Sequence, residues 1–456
     1  MIKRKRDDSP DVDSESEYPN AGLSNLTKSF NNGQLTDDFQ LLSKYFPFLK
    51  KHMTLNLRWK PFMPKSLTYH YDFNHPDAVY HLSKAILKHN YGLELYLPCS
   101  CEEDSCNENK DLEVLNQHFR DLNGSSDLVR YLAPCVPNRL SYIKAASSLF
   151  SLKNNEPYIF DVEDFNLPSD DYLKGSNIIV LDIGTGASCI YPLIGARENS
   201  WNFIGTDIDN LTLEMARKNV EVNHLEESIS LRLQRTPTRI FNGVLYSHEL
   251  FALTVCNPPF HARLDMTNLN PRTSPTGTER ELVFGVPDDA NMVLEQTYLD
   301  SIDQVGGTCT SVSGQLKCAL SEMKQGDLAF IEIMIQESKL YCNNAVWFTT
   351  LIPRMTTLKK IKNLIHREMR HYILNHLQQA EFLDSKINHM YYEGSRFKFA
   401  TKPEAQVDVS NVHICEFRKF TLKNGNQTRW VVAWTFYNSQ QRLQIINNLT
   451  KLSLQT

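Results

Sequence analysis

The sequence predicts an α/β protein: a doubly wound, mostly parallel sheet of seven strands beside a small N-terminal α/β region. Three observations carry this. From Asn177 onward, short apolar runs alternate with helical stretches, the rhythm of strands joined by crossover helices. The first run, NIIVLDIG, ends in a glycine turn that opens a helix, as at the carboxyl edge of a parallel sheet. The last two runs, Val412–Phe420 and Trp430–Tyr437, flank the turn KNGN and predict a hairpin that puts an antiparallel strand at one edge.

Residues 1–36 are rich in Ser, Asp, Glu and Asn and predict a disordered tail. In it, Lys3, Arg4, Lys5 and Arg6 form a short basic run, read either as a nuclear import signal or as a solvated charged end. Residues 37–150 form the N-terminal region, with a strand at Ser66–Phe73 and a helix at Pro76–Leu87, capped near Asn74 or His75. It is interrupted by an acidic surface insertion at 98–130, resumes with the apolar pattern Ala133–Ile143, and is followed by a polar linker, Ser151–Gly175. The larger unit, 175–440, contains strands at NIIVLDIG, WNFIGTDID, SISLRLQ, FALTVCN and AVWFTTLI before the hairpin. Its helices fall at about Ser188–Arg197, at LTLEMARKNVEVN, at about Asp327–Tyr341 and at about Thr357–Leu377, with an insertion at 288–325. Residues 441–456 are expected to be a tail.

The chain has 456 residues, 41% of them hydrophobic, enough to bury a sizeable core. Its 48 Lys and Arg against 53 Asp and Glu give a net charge of -5, which excludes a uniformly cationic nucleic-acid coat. Much of the acid is local, because the first 40 residues carry eight acids against five bases and residues 98–127 of the insertion eight against two. The remainder has 41 bases against 37 acids and leaves room for a basic groove. The ten cysteines are spread thinly, as in a reducing compartment. Cys99, Cys101 and Cys106 lie in CSCEEDSC without a paired CxxC, so free thiols are expected and no metal. No stretch of about 18 apolar residues exists, so no membrane span is expected.

The first chemical motif is Asp182-Ile183-Gly184-Thr185-Gly186-Ala187-Ser188. Gly184 and Gly186 allow a tight turn and a close approach of backbone to ligand, with helix-terminal N–H groups facing it. The third glycine of a dinucleotide fingerprint is replaced by Cys189. Asp182 stands two residues before the first glycine, and Asp207 ends the next strand, 23 residues after Gly184, where it can accept both hydroxyls of a ribose. A carboxylate beside the glycine turn suits a cation better than a pyrophosphate. S-adenosylmethionine therefore fits better than a nicotinamide cofactor; the alternative is a tight turn in a ligand-free domain.

The second motif, Asn257-Pro258-Pro259-Phe260, follows the fourth strand directly. The prolines stiffen the turn and carry no N–H. The Asn257 side-chain carbonyl and the Pro258 carbonyl can accept both hydrogens of a planar amine, while Phe260 stacks on the ring bearing it. The nitrogen lone pair then faces an electrophile. Such a site needs alignment more than a strong base, and His261 is read as a substrate contact. The motif leaves open adenine, cytosine, guanine or a glutamine amide.

At these residues the sequence resembles the family of RNA adenine-N6 methyltransferases that includes the eukaryotic enzyme for U6 small nuclear RNA and the bacterial enzyme for 23S ribosomal RNA. DIGTGASCIYPLIGA, CNPPFH, FIEIMIQESK, VWFTTLIPR and RWVVAWTFY resemble family segments in order, as do HPDAV and VPNRLSYI, over about Asp37–Tyr437. The resemblance implies a Rossmann-like class I S-adenosylmethionine-dependent methyltransferase domain, with 37–150 as its RNA-binding region. It implies donor contacts from Arg139, Asp182, Gly184, Gly186, Ser188, Asp207 and Asn257, and from Thr238 in a segment that aligns less well. Asn257, Pro258, Pro259 and Phe260 would grip adenine. NPRTSPTGTERE (Asn270–Glu281) resembles the family's substrate loop at NPR, which makes Arg272 a substrate contact.

RNA would also find cations between Arg354 and Arg370, where six basic residues stand against Glu368 alone. Leu358, Ile361, Leu364, Ile365 and Met369 form the apolar face of that helix, and Arg354 leaves a strand on the same rim as NPPF, placed to meet a phosphate. Lys50–Lys65 mixes Lys, Arg, Trp and Phe, read either as a single-strand surface or as an edge of the core. The expected protein is a nuclear, monomeric enzyme that methylates adenosine N6 in a structured RNA. The alternatives are a non-catalytic RNA-binding or ribosome-assembly factor, and an enzyme for protein glutamine amides.

Overall fold

A computed structural model of the chain describes residues 42–56, 68–73, 75–98, 131–150, 173–260, 326–369, 390–393, 396–399, 412–424 and 427–453. The basic run Lys3–Arg6, the cysteines of CSCEEDSC, both insertions, His261 and Arg272 lie outside the described residues.

The N-terminal part holds an antiparallel pair, β1 (Met53–Asn56) and β2 (Thr68–Tyr71), followed by α1 (Pro76–Tyr91) and α2 (Val136–Ser147). Helix α1 starts where Pro76 needs no N–H partner, and His75 caps it by accepting from the Asp77 amide. It stops at Gly92, in the left-handed conformation at φ 62°.

The main sheet is built from β3 (Ile179–Ile183), β4 (Asn202–Asp207), β5 (Ile229–Leu233), β6 (Phe251–Cys256) and β7 (Ala345–Ile352). Between them run α3 (Ile190–Asn199), α4 (Asn210–Val222) and α5 (Gly326–Leu340), and a helix over 355–369, α6, follows β7. A second pair, β8 (Met390–Glu393) with β9 (Arg396–Phe399), was not foreseen from the sequence. The chain closes with β10 (Glu416–Asn424), β11 (Gln427–Thr435) and α7 (Ser439–Ser453).

The strand order is β10-β11-β7-β6-β3-β4-β5. It is parallel from β7 to β5, as buried strands such as β6 and β7, apolar along most of their length, require. The seven-stranded doubly wound sheet expected from the sequence is present. The hairpin is there too, with one adjustment: β11 pairs with β7, so the antiparallel strand lies one place in from the edge. The order reverses between β3 and β6, which opens a crevice at their carboxyl ends.

Residues 441–456 are not the expected tail, because α7 occupies them to Ser453. Asn438 and Gln441 form a reciprocal capping box, each side chain accepting from the other's amide at 2.9 and 2.8 Å. Ile445, Ile446 and Leu449 then recur at helical spacing and are buried. Arg442 donates to the Tyr437 carbonyl at 2.6 Å and pairs with Glu416, while Arg442 and Arg418 both lie over the Trp347 ring.

Candidate active site: a donor cavity beside NPPF

A cavity of about 170 Å³ opens at the switch point. Its floor is the turn after β3. Gly184 and Gly186 sit at φ 68° and 65°, and Cys189, at φ 48°, adopts the same left-handed region before α3 begins. Gly184, Gly186 and Ser188 line the cavity, as expected. At the end of β4, Asp207 also lines it and accepts from the Gly186 and Asp209 amides, each at 3.1 Å. Burial pushes its pKa up from 3.8 to about 6, against the pull of those amides.

Asp182 lies beneath the turn and is fully buried; the lining is formed by its successors Ile183, Gly184 and Thr185. Burial pushes the Asp182 pKa up from 3.8 to about 7, and Thr185, the polar side chain beside its carboxylate, pulls it down. The Thr185 hydroxyl is directed to Cys189 Sγ at 3.5 Å and leaves both carboxylate oxygens without a well-formed hydrogen bond. A buried carboxylate beneath the cavity floor is held in its charged form by a cation bound above it. The site therefore fits S-adenosylmethionine: Asp207, on the cavity wall, would meet its ribose, and Asp182, beneath the floor, would favour its positive charges through the turn.

One wall comes from α2. Arg139 donates to the Tyr191 hydroxyl at 3.1 Å and stacks over that ring, and it lines the cavity as the sequence implied. One helical turn on, Tyr142 is fully buried. Its hydroxyl accepts from the Cys256 amide at 3.1 Å and meets Thr349 Oγ1 at 2.8 Å. Sequence reasoning had marked VPNRLSYI without singling out Tyr142; its spacing of three from Arg139 puts both on one helix face.

The opposite wall is the turn after β5. Here Gln234, Pro237, Arg239 and Ile240 line the cavity, and Thr238 lies between two of them. From α5, the buried Glu337 accepts from the Ile240 and Phe241 amides at 3.0 and 2.9 Å. That anchor sets how the turn faces the cavity.

Asn257, Pro258 and Pro259 line the cavity at the end of β6. Asn257 Oδ1 is buried and has no hydrogen-bond partner within the protein, the orphaned acceptor that an amine donor would satisfy. Phe260 faces a second, adjoining cavity of about 80 Å³, shared with Asn138, Arg139 and Arg429. Arg429 lies 5.2 Å from the Phe260 ring centroid, a cation–π contact that the sequence did not suggest. Arg354 is on the same rim, but it is engaged by Asp327 and the Phe260 carbonyl, partners that a reading as a bare phosphate contact did not include. On α6 the apolar face packs inward as expected, with Leu358, Ile361 and Ile365 buried and Lys359, Lys360 and Arg367 exposed. Among the described residues no helix is long and apolar enough to cross a membrane, and no cluster of metal-ligating side chains occurs.

Comparison with known proteins shows the family. A family model described as RNA methyltransferase matches residues 113–392. The ribosomal RNA large subunit methyltransferase F of Pseudomonas fluorescens is 30% identical over 376 residues, covering 81% of this chain and 86% of that protein. The protein of the same name from Serratia proteamaculans is 31% identical over 293 residues, 64% of this chain and 67% of its own. Among solved structures, the N-terminal domain of human METTL16 is similar at 20% identity and a TM-score of 0.48, covering 88% of this chain and 94% of that one. With a family match spanning most of the chain, a glycine turn over an unpaired carboxylate and NPPF at the switch point, this protein belongs to the RNA methyltransferase family.

Proposed function

We propose that the protein transfers the methyl group of S-adenosylmethionine to the N6 amine of an adenosine in a structured RNA. The observation that carries this is the unpaired, buried Oδ1 of Asn257 at the cavity wall, followed by two residues with no N–H. Such an acceptor is costly to keep empty and is satisfied by an exocyclic amine. When bound, the donor supplies an electrophilic methyl on a sulfonium. Asn257 Oδ1 and the Pro258 carbonyl would each accept one amine hydrogen and turn the nitrogen lone pair toward that methyl. As the N–C bond forms, the S–C bond breaks to a neutral thioether, and the nitrogen sheds one of its two hydrogens as a proton to water. Phe260 would hold the plane of the base.

Adenosine in ribosomal RNA is the first substrate to test, since the curated relatives are named for large-subunit ribosomal RNA. A nuclear location belongs to the same proposal and rests on Lys3, Arg4, Lys5 and Arg6. Incubation with labelled donor and RNA, followed by nucleoside analysis, should yield N6-methyladenosine. Asn257→Ala should lower the rate at least about 100-fold, the scale of losing one preorganised contact to the reacting group. Label appearing on cytosine, guanine or protein, or an undiminished Asn257→Ala rate, would sink the proposal.

A further inference from the structure

The NPPF segment runs between two anchors. Before it, the Cys256 amide is held by the Tyr142 hydroxyl at 3.1 Å. After it, Arg354 Nη2 donates to the Phe260 carbonyl at 3.1 Å. Pro258 and Pro259 have no N–H, so the segment depends on what its carbonyls accept. Arg354 itself is 53% exposed, and a long exposed side chain holds one position only if something else fixes it. Asp327, at the start of α5, does so. Its side chain is 1% exposed and accepts from Arg354 Nε at 3.2 Å, from Arg354 Nη2, and from Thr357 Oγ1 at 2.8 Å. A buried carboxylate with a charged two-point partner is rigid and costly to disturb. Thr357, Asp327, Arg354 and Phe260 thus form one chain of contacts from α6 to the base-gripping turn.

We infer that Asp327 and Arg354 are positioning residues for methyl transfer: through the Phe260 carbonyl they fix Phe260 against the target base. This rests on the methyl-transfer reading above. It gives Arg354 a role distinct from contacting a phosphate. The step affected is the reaction of bound RNA; binding of the donor is left alone, because neither residue lines the donor cavity. Displacing an aligned group by about 1 Å costs up to about 100-fold in rate.

The test compares wild type with Arg354→Met, Arg354→Lys and Asp327→Asn in the full chain. The substrates are unmodified transcripts of large-subunit ribosomal RNA and U6 small nuclear RNA. Donor affinity, melting temperature, RNA affinity against salt and the rate at saturating RNA are measured together. Arg354→Met and Asp327→Asn should lose about 10- to 100-fold in rate, with donor affinity within about twofold and the salt dependence of RNA affinity unchanged. Arg354→Lys, keeping one donor group, should recover part of the rate. A full rate in Arg354→Met overturns the inference. So does a loss confined to RNA affinity with a salt slope lower by about one, the mark of a phosphate contact. An inactive wild type that binds donor overturns the methyl-transfer reading, and this inference with it.

Discussion

Asp182 is legible in the sequence as an acid before a glycine turn, but its protonation is decided by burial. With burial raising its pKa to about 7, Asp182 is neutral below that pH, whereas a cationic donor favours the carboxylate. Binding must then expel a proton, so donor affinity should rise with pH up to about 7 and flatten above it. Asp207, at about 6, adds a similar rise at lower pH. Titration of donor binding by calorimetry between pH 5 and 8 checks this. Asp182→Asn should abolish the rise between pH 6 and 7 and leave the part below it; an unchanged profile would remove Asp182 from the donor site. Asn257, Asp207 and the glycines could be found by spacing because their chemistry depends on local backbone geometry. Arg429 and Asp327 could not, since each reaches the site from a distant element.

At the scale of elements, the glycine in α3 shows how tightly the crossover packs on the sheet. A Cβ on Gly195 would stand 2.3 Å from the Phe203 ring, so helix and β4 approach at a distance only glycine permits. Gly195→Ala should destabilise by about 1–3 kcal/mol, the usual cost of overpacking. Chemical denaturation measures it, and Phe203→Leu in the same chain should restore much of the loss. Strand and helix periods identified most of the Rossmann elements to within a few residues. They miss β8 with β9, whose strands are only four residues each, and α7, whose capping box and three apolar positions are too short a pattern to stand out from a polar end. The helix is stabilised by docking, through Arg442 against Glu416 and Trp347.

Across the whole molecule, the N-terminal part and the sheet domain are joined by side chains acting as a strand would. Asn219 on α4 accepts from the Tyr96 amide at 2.8 Å and donates to the Tyr96 and Ala187 carbonyls, both at 2.9 Å. Asn223, one turn on, repeats the exchange with Glu94 at 2.8 and 2.9 Å. Segment 94–96 is thereby tied to α4, and Asn219 links it onward to the donor turn at Ala187. Asn219→Ala should cost about 2–3 kcal/mol, because it leaves buried backbone groups unpaired. It should also weaken donor binding; a variant with wild-type stability and donor affinity would contradict the seam. By itself, the sequence determined the sheet class, the glycine turn, NPPF and the family, because these follow from short-range pattern and local stereochemistry. Only the tertiary structure decided which distant side chains meet them: Tyr142 behind NPPF, Glu337 under the β5 turn, and Arg354 on the Phe260 carbonyl. Such contacts, between residues as far as 114 positions apart, depend on how helices seat against the sheet, which leaves no periodic trace along the chain.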